Sequence, residues 1–324
     1  MPEGTASRGR ILLAFAAVYV LWGSTYLAIR FGVETVPPFF LAGARHLTAG
    51  LLLYLWMRLR GAARPEAVHW RSAAIVGGLM LFGGNGLVTW AEQRVPSGLA
   101  ALIVASVPIW MAALEGIERR RRPGSAVIVG LLLGLAGIAL LVAPGKFGGN
   151  GRVDPLGASA LLLASLCWST GSLYSRRAKL PASILTATAM EMIAGGVWLF
   201  SAGLISGEGR ALHLAAISTK SALSLGYLVI FGSLIGFTAY VWLLKVVSPA
   251  RVSTYAYVNP IVAVALGSLL AGEAITLRIA VAALVIVSAV ALIITARSKP
   301  ARLKAVEATP HPEIPRKSAG SAGG

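Results

Sequence analysis

The sequence predicts an all-α polytopic membrane protein: ten transmembrane helices in two inverted-topology five-helix repeats. Three observations carry this. Ten apolar runs are each long enough to cross a bilayer, basic residues crowd into alternate connections, and the second half repeats the odd residues of the first. Of the 324 residues, 56% are hydrophobic and only 13% charged, against roughly 25% charged in soluble domains.

A hydrocarbon core of about 30 Å takes about 20 helical residues at 1.5 Å each, because lipid offers backbone amides no partner. Such runs fall at residues 11–31, 38–57, 72–90, 97–116, 125–143, 155–175, 182–205, 221–244, 252–271 and 277–296. The longest connections left over, near 144–154 and 206–220, are too short to fold alone. The chain thus divides into an N-terminal cytoplasmic segment (1–10), a first repeat (11–143), an external connection (144–154), a second repeat (155–296) and a disordered cytoplasmic tail (297–324) rich in Pro, Lys, Ala and Gly. The first run follows Arg8 and Arg10 but is too long for a signal peptide and lacks a small-residue cleavage pattern.

The net charge of +17 would suggest nucleic acid in a soluble protein; its placement argues for a membrane instead. Arg8, Arg10, Arg58, Arg60, Arg64, Arg71, the run 119–122, Arg176, Arg177, Lys179, Lys245, Arg251 and the tail hold the surplus. The opposite connections carry only Arg94, Lys146, Arg152, Arg210, Lys220 and Arg278. Because cytoplasmic loops retain Lys and Arg, both termini are expected in the cytoplasm, and the surplus also attracts anionic lipid.

A shift of 146 residues lays "LWGSTYLAIR" on "CWSTGSLYSR", aligning Trp22 with Trp168, Arg30 with Arg176 and Arg45 with Glu191. A shift of 152 aligns Trp90 with Trp242 and Pro108 with Pro260. Five helices per repeat is an odd number, so the second repeat enters the membrane from the other side. Inverted repeats are the architecture of secondary transporters, with a site near the midplane where the halves meet. Duplication is also a way to enlarge a plain helical bundle.

The stretches "LWGSTYLAIRFGVETVPPFFLAGARHLTAG", "FGGNGLVTWAEQRVPSGLAALIVASVPIW" and "FGSLIGFTAYVWLLKVVSPARVSTYAYVNPIVAVALGSLLAGE" resemble the drug/metabolite transporter superfamily, EamA type. The resemblance covers residues 11–296. It implies two EamA repeats in a plasma membrane, the inner membrane of a bacterium, with a central cavity and export or exchange of amino acids, related metabolites or small amphipathic drugs. The turn "AALEGIERRRRPG" is an unusually basic version of its counterpart "GSLLAGEAITLR".

Trp22, Tyr26 and Arg30 lie four residues apart on one helical face, repeated by Trp168, Ser172 and Arg176. The two aromatic faces, with Ser24, are expected to wall one cavity, with Trp22 and Trp168 facing each other across it; interfacial aromatic belts are the plainer reading. Arg30 and Arg176, near helix ends, are expected to gate or to snorkel to headgroups. Arg45, His46 and Glu191 are the sharpest intramembrane outliers, since an ionised group there costs about 2.5–3.5 kcal/mol on insertion scales. Arg45 and Glu191 are expected near the pseudo-two-fold axis, as an ion pair or as contacts for opposite ends of a zwitterion. His46 is a proton carrier with Glu191 or a hydrogen-bonded packing residue. Asn85, flanked by glycines, bonds either substrate or a neighbouring helix, and Tyr255 and Asn259 share a face aimed at the cavity. Trp90, Glu92 and Gln93 mark an outer rim or gate, and Pro108 and Pro260 are expected to kink matching helices.

The function expected is secondary, non-ATP transport of a small molecule by alternating access, with protons as a candidate coupling ion and a homodimer left open. No phosphate-cradling Gly-x-x-x-x-Gly-Lys-Ser/Thr loop is present, and a single cysteine, Cys167, excludes an intramolecular disulfide. No cofactor, metal site or nucleic-acid partner is expected. A lipid-linked acyl- or prenyl-transferase would need clustered acids, and a nucleotide-sugar or phosphate-sugar carrier several deep cations; a sensor or scaffold would bind ligand without flux.

Overall fold

A computed structural model describes residues 7–118, 124–142, 154–252 and 254–298. The basic run 119–122, the connection 144–153 and the tail beyond 298 lie outside them. Among the described residues ten long helices follow in order: α1 Arg8–Gly32, α2 Pro38–Leu59, α3 Ala67–Ala91, α4 Ser97–Glu118 and α5 Ser125–Val142, then α6 Pro155–Ser175, α7 Ile184–Ile205, α8 Thr219–Val246, α9 Tyr255–Ala271 and α10 Leu277–Ser298. Seven have the length and composition to cross a membrane outright, and α5, α9 and α10 contain shorter apolar helices.

Local chemistry sets the ends. Pro38 and Pro155 open α2 and α6, where a missing N–H has no helical partner to lose. Asp154, Ser183 and Ser218 cap α6, α7 and α8 by accepting from Leu156 N, Thr186 N and Ser221 N. Gly272 ends α9 at φ +66°, a conformation that glycine adopts without a Cβ clash.

Helix packing follows a pseudo-two-fold pattern. The pairs α2–α7, α4–α9 and α5–α10 join equivalent helices, while α3–α6 and α1–α8 exchange when five is added to each number. Small residues make these contacts, as expected where lipid is as apolar as any side chain. Gly43 faces Phe200, Gly50 faces Ile193 and Gly196 faces Leu47; Gly130 and Gly137 seat against Ile293 and Ile286 of α10. Large apolar side chains such as Leu52, Leu55, Leu132 and Leu284 stay exposed on the outside.

Two equivalent stretches, Gly77–Gly86 in α3 and Leu228–Phe237 in α8, wind as π-helix, and so does Ala17–Leu21 in α1. Such widened turns gather at functional sites. Here they flank the crossing of the two halves. The expected matching kinks do not match: α4 breaks at Ala105–Ser106, just before Pro108, whereas α9 runs unbroken through Pro260. Pro108 is the second residue of a new helical segment, where its absent N–H costs nothing, while Pro260 lies in the second turn of α9 and forfeits a single bond.

Candidate functional site

A cavity opens where α1, α2, α3, α4, α6, α8 and α9 meet. Trp22, Tyr26, Arg45, His46, Asn85, Trp168, Tyr255 and Asn259 line it, all of them expected from the sequence; Thr25, Ile29, Val88, Val104, Ser165 and Phe237 complete much of the wall.

Its aromatic wall is a four-ring cluster. Trp22 and Trp168 meet edge to face at 5.4 Å between centroids, so they touch at one side of the cavity rather than standing apart across it. Tyr240 backs both, at 4.9 Å from Trp22 and 5.4 Å from Trp168, and Tyr255 closes the group at 5.6 Å from Trp22. Edge and tilted arrangements of this kind suit the ring quadrupoles. The polar edges are satisfied: Trp22 Nε1 donates to the Gly232 carbonyl at 3.0 Å, and Trp168 Nε1 donates to Tyr240 Oη at 3.1 Å. Gly236 is required here, since a Cβ would lie 2.5 Å from Trp22 Nε1.

The opposite wall is polar. Arg45 Nε donates to Ser233 Oγ at 2.8 Å, and Arg45 Nη1 reaches Asn85 Oδ1 at 3.5 Å. His46 Nε2 lies 3.1 Å from the same Asn85 oxygen, and His46 Nδ1 3.5 Å from Ser233 Oγ. Because an amide oxygen only accepts, Nε2 carries the proton, and Ser233 can then donate to Nδ1. This ring of bonds accommodates His46 as the neutral imidazole. Gly232 leaves room for the guanidinium, as its Cβ would sit 2.6 Å from Arg45 Nη2.

Arg45 does not pair with Glu191. Glu191 lies outside the cavity lining, fully buried, with neither carboxylate oxygen bonded among the described residues. Inversion is the reason. In the antiparallel register set by Gly43 against Phe200 and Gly50 against Ile193, Arg45 is level with Trp198 and Glu191 with Leu52. That is an offset of about 10 Å along the helices. Equivalent residues share a face but lie on opposite sides of the midplane.

Other expected residues also stand outside the cavity. Ser24 faces the other way and bonds Tyr227 Oη at 2.6 Å; two residues on from Trp22, it is turned by about 200°. Ser172 is on the expected face but forms a second layer, bonded to Tyr240 Oη at 2.8 Å. Trp90 stacks under Arg94 at 4.2 Å. Arg30 donates to the Glu92 carbonyl at 2.8 Å, tying α1 to the end of α3, whereas Arg176 is exposed. Asn259, by contrast, lines the cavity, and the Tyr19 carbonyl 3.0 Å from its amide calls for the nitrogen on that side, since only N–H can donate to it.

The sequence reading missed Tyr240 and Ser233. Tyr240 had a signal: at a shift of 152 it falls on Val88, one turn from Asn85. Glu92, read as part of an outer rim, is instead wholly buried.

Ten helices, two pseudo-equivalent halves and a cavity at their crossing define a polytopic membrane protein with the architecture of a secondary transporter. The chain belongs to the EamA-like transporter family, whose pattern matches residues 9–143 and again 155–295. It is 45% identical over 285 residues to the Escherichia coli (strain K12) protein described as uncharacterized inner membrane transporter YedA, covering 86% of this chain and 89% of that one. It is 25% identical over 306 residues to the Bacillus subtilis (strain 168) protein described as uncharacterized transporter YvbV, covering 94% and 97%. A solved structure described as "Crystal structure of protein" superposes with a TM-score of 0.64 at 22% identity, covering 90% of this chain and all of that one, a likeness of fold.

Proposed function

We propose that this chain is a secondary transporter that exports or exchanges small amphipathic metabolites, of which amino acids are one class, by alternating access to the cavity. The end of the bundle poor in Lys and Arg is external on this reading, and both termini are cytoplasmic. The observation that carries the proposal is Arg45. It is a guanidinium 3% exposed, held by Ser233 and Asn85, with no carboxylate within ion-pair distance among the described residues, and it lines a cavity whose other wall is aromatic. A buried cation is strongly disfavoured without a counter-charge. A substrate carboxylate at Arg45 supplies that charge, while Trp22, Trp168 and Tyr255 hold the apolar body or, through their ring faces, an ammonium.

Glu191 is level with another part of the bundle, so it does not hold the opposite end of a zwitterion bound at Arg45. His46, neutral in its ring of hydrogen bonds, is a positioning residue for Asn85 and Arg45. The test is a metabolite uptake and efflux screen in proteoliposomes, run with and without a pH gradient. Flux of carboxylate-bearing amphipathic compounds, lost in Arg45→Ala, supports the reading; chemical conversion of the compound without movement overturns it.

A further inference from the structure

The connection 92–96, joining α3 to α4, is tied to three other parts of the bundle at the cation-poor end. Arg30 of α1 bonds the Glu92 carbonyl. The Glu273 carboxylate, at the turn after α9, accepts from Ser97 N at 2.7 Å, Ser97 Oγ at 2.8 Å and Gly98 N at 3.0 Å. Arg94 pairs with Asp154 at the start of α6 at 3.4 Å. The first half of α4, Ser97–Val104, packs along α9, whereas its second half, Val107–Glu118, turns to α6 and α10. This end is therefore drawn together by α4 and α9, the pair of equivalent helices that crosses the pseudo-axis.

Inside that closure sits the Glu92 side chain. It is 0% exposed, and among the described residues neither carboxylate oxygen has a hydrogen-bond partner. The charged and titratable groups facing it are Glu273 from the turn after α9, Tyr26 and Arg30 from α1, and Arg45 from α2. The Glu273 carboxylate already uses both oxygens as acceptors, so it offers Glu92 repulsion alone. Arg30 spends a bond on the Glu92 backbone carbonyl rather than on its carboxylate. An ionised carboxylate enclosed without a donor and beside a second carboxylate is the costly form, and a proton removes that cost.

We propose that Glu92 is the proton-binding site of the external gate, so that the gate closes with a proton on this carboxyl and releases it when water returns to the turn. The proposal rests on the transporter reading for the word gate, and it takes the proton as its ligand. Glu92 lies just past the last residue of α3, and burial holds its carboxyl well above the usual carboxylate range, with Glu273 pushing the same way and Arg30 and Arg45 opposing. The sign follows by linkage. The closed state binds the proton more tightly than the open one, so closure is favoured at low pH and is lost as pH rises through the closed-state value.

The experiment measures distance across this end by electron spin resonance on the full chain in nanodiscs. Spin labels sit at Gln93→Cys and Ile275→Cys, both exposed positions, in a Cys167→Ala background. Between about pH 5 and pH 9, one proton can change the ratio of closed to open populations by up to tenfold per pH unit. Short distances should dominate in acid and give way to longer ones in base. Glu92→Gln should hold the short distance at every pH. Two populations whose ratio ignores pH would overturn the proton site and leave alternating access standing. One unvarying distance at all pH values would overturn both the proton site and the gate. If Glu92→Gln does not fold, the pH titration of the labelled parent, with Glu92→Asp expected to move its midpoint, decides the matter alone.

Discussion

Arg30 and Arg176 fall on the same position of the two repeats, and so do Arg45 and Glu191, yet the structure treats each pair differently. Arg30 bonds the Glu92 carbonyl while Arg176 is exposed. Arg45 lines the cavity while Glu191 is buried beyond it. The same contrast separates α4, broken before Pro108, from α9, continuous through Pro260. A duplicated sequence therefore specifies matching faces and matching packing partners without specifying matching contacts. On the alternating-access cycle proposed above, the contacts one repeat makes are those its partner would make when the opposite end closes.

Three pairs of substitutions sharpen this comparison. The largest effect is expected at Gly77, where a Cβ would lie 2.6 Å from both the Glu191 carbonyl oxygen and the Gly195 nitrogen, backbone atoms that cannot step aside. Gly77→Ala should destabilise the α3–α7 contact by about 3 kcal/mol. Gly226→Ala, two residues before the matching stretch of α8 and with nothing within 4 Å, should change stability by less than about 1 kcal/mol. Thermal unfolding in detergent compares the two, and equal losses would show that α3 and α7 do not approach each other closely at Gly77.

Tyr240→Phe comes next. It removes the hydroxyl that joins Trp168 and Ser172 and leaves the ring packing intact, so a loss of about 1 kcal/mol is expected, with Ser172→Ala adding little on top of it. Additive losses in the double variant would mean that the two hydroxyls act separately. The smallest effect belongs to Arg176, the exposed member of the arginine pair. Arg176→Ala should be near neutral, and Arg30→Ala should cost about 1–2 kcal/mol through its bond to Glu92. If Arg176→Ala cost more, the assignment of the tied end would be reversed.

Much of the fold was legible in the sequence because each helix announces itself by length, and several by their caps. Pro155–Ser175 agrees with the expected run since Asp154 and Pro155 mark its start, and α7 starts two residues later than expected because Ser183, rather than Ala182, can cap it. The cavity was legible where a face and a depth coincide, as at Trp22, Trp168 and Asn85. It was not legible at Ser24, since a central helix packs polar groups on more than one side. Nor was it legible at Glu191, where spacing fixes a face but inversion fixes the depth. Glu92 misled for a different reason: a charged residue past a helix end reads as rim, and only the tertiary closure by Glu273 and Arg30 buries it.

The central claim is that Arg45 faces substrate without an internal carboxylate partner. A binding titration with a transported carboxylate compound, in wild type, Arg45→Ala, Glu191→Gln and the double variant, tests it most directly. Loss of the charge-assisted contact at Arg45 should weaken binding by about 30- to 100-fold, or about 2–3 kcal/mol, and the double variant should show the sum of the single effects to within about 0.5 kcal/mol. Restoration of binding in the double variant would contradict the account, because it would mean that Arg45 and Glu191 neutralise each other in the working protein.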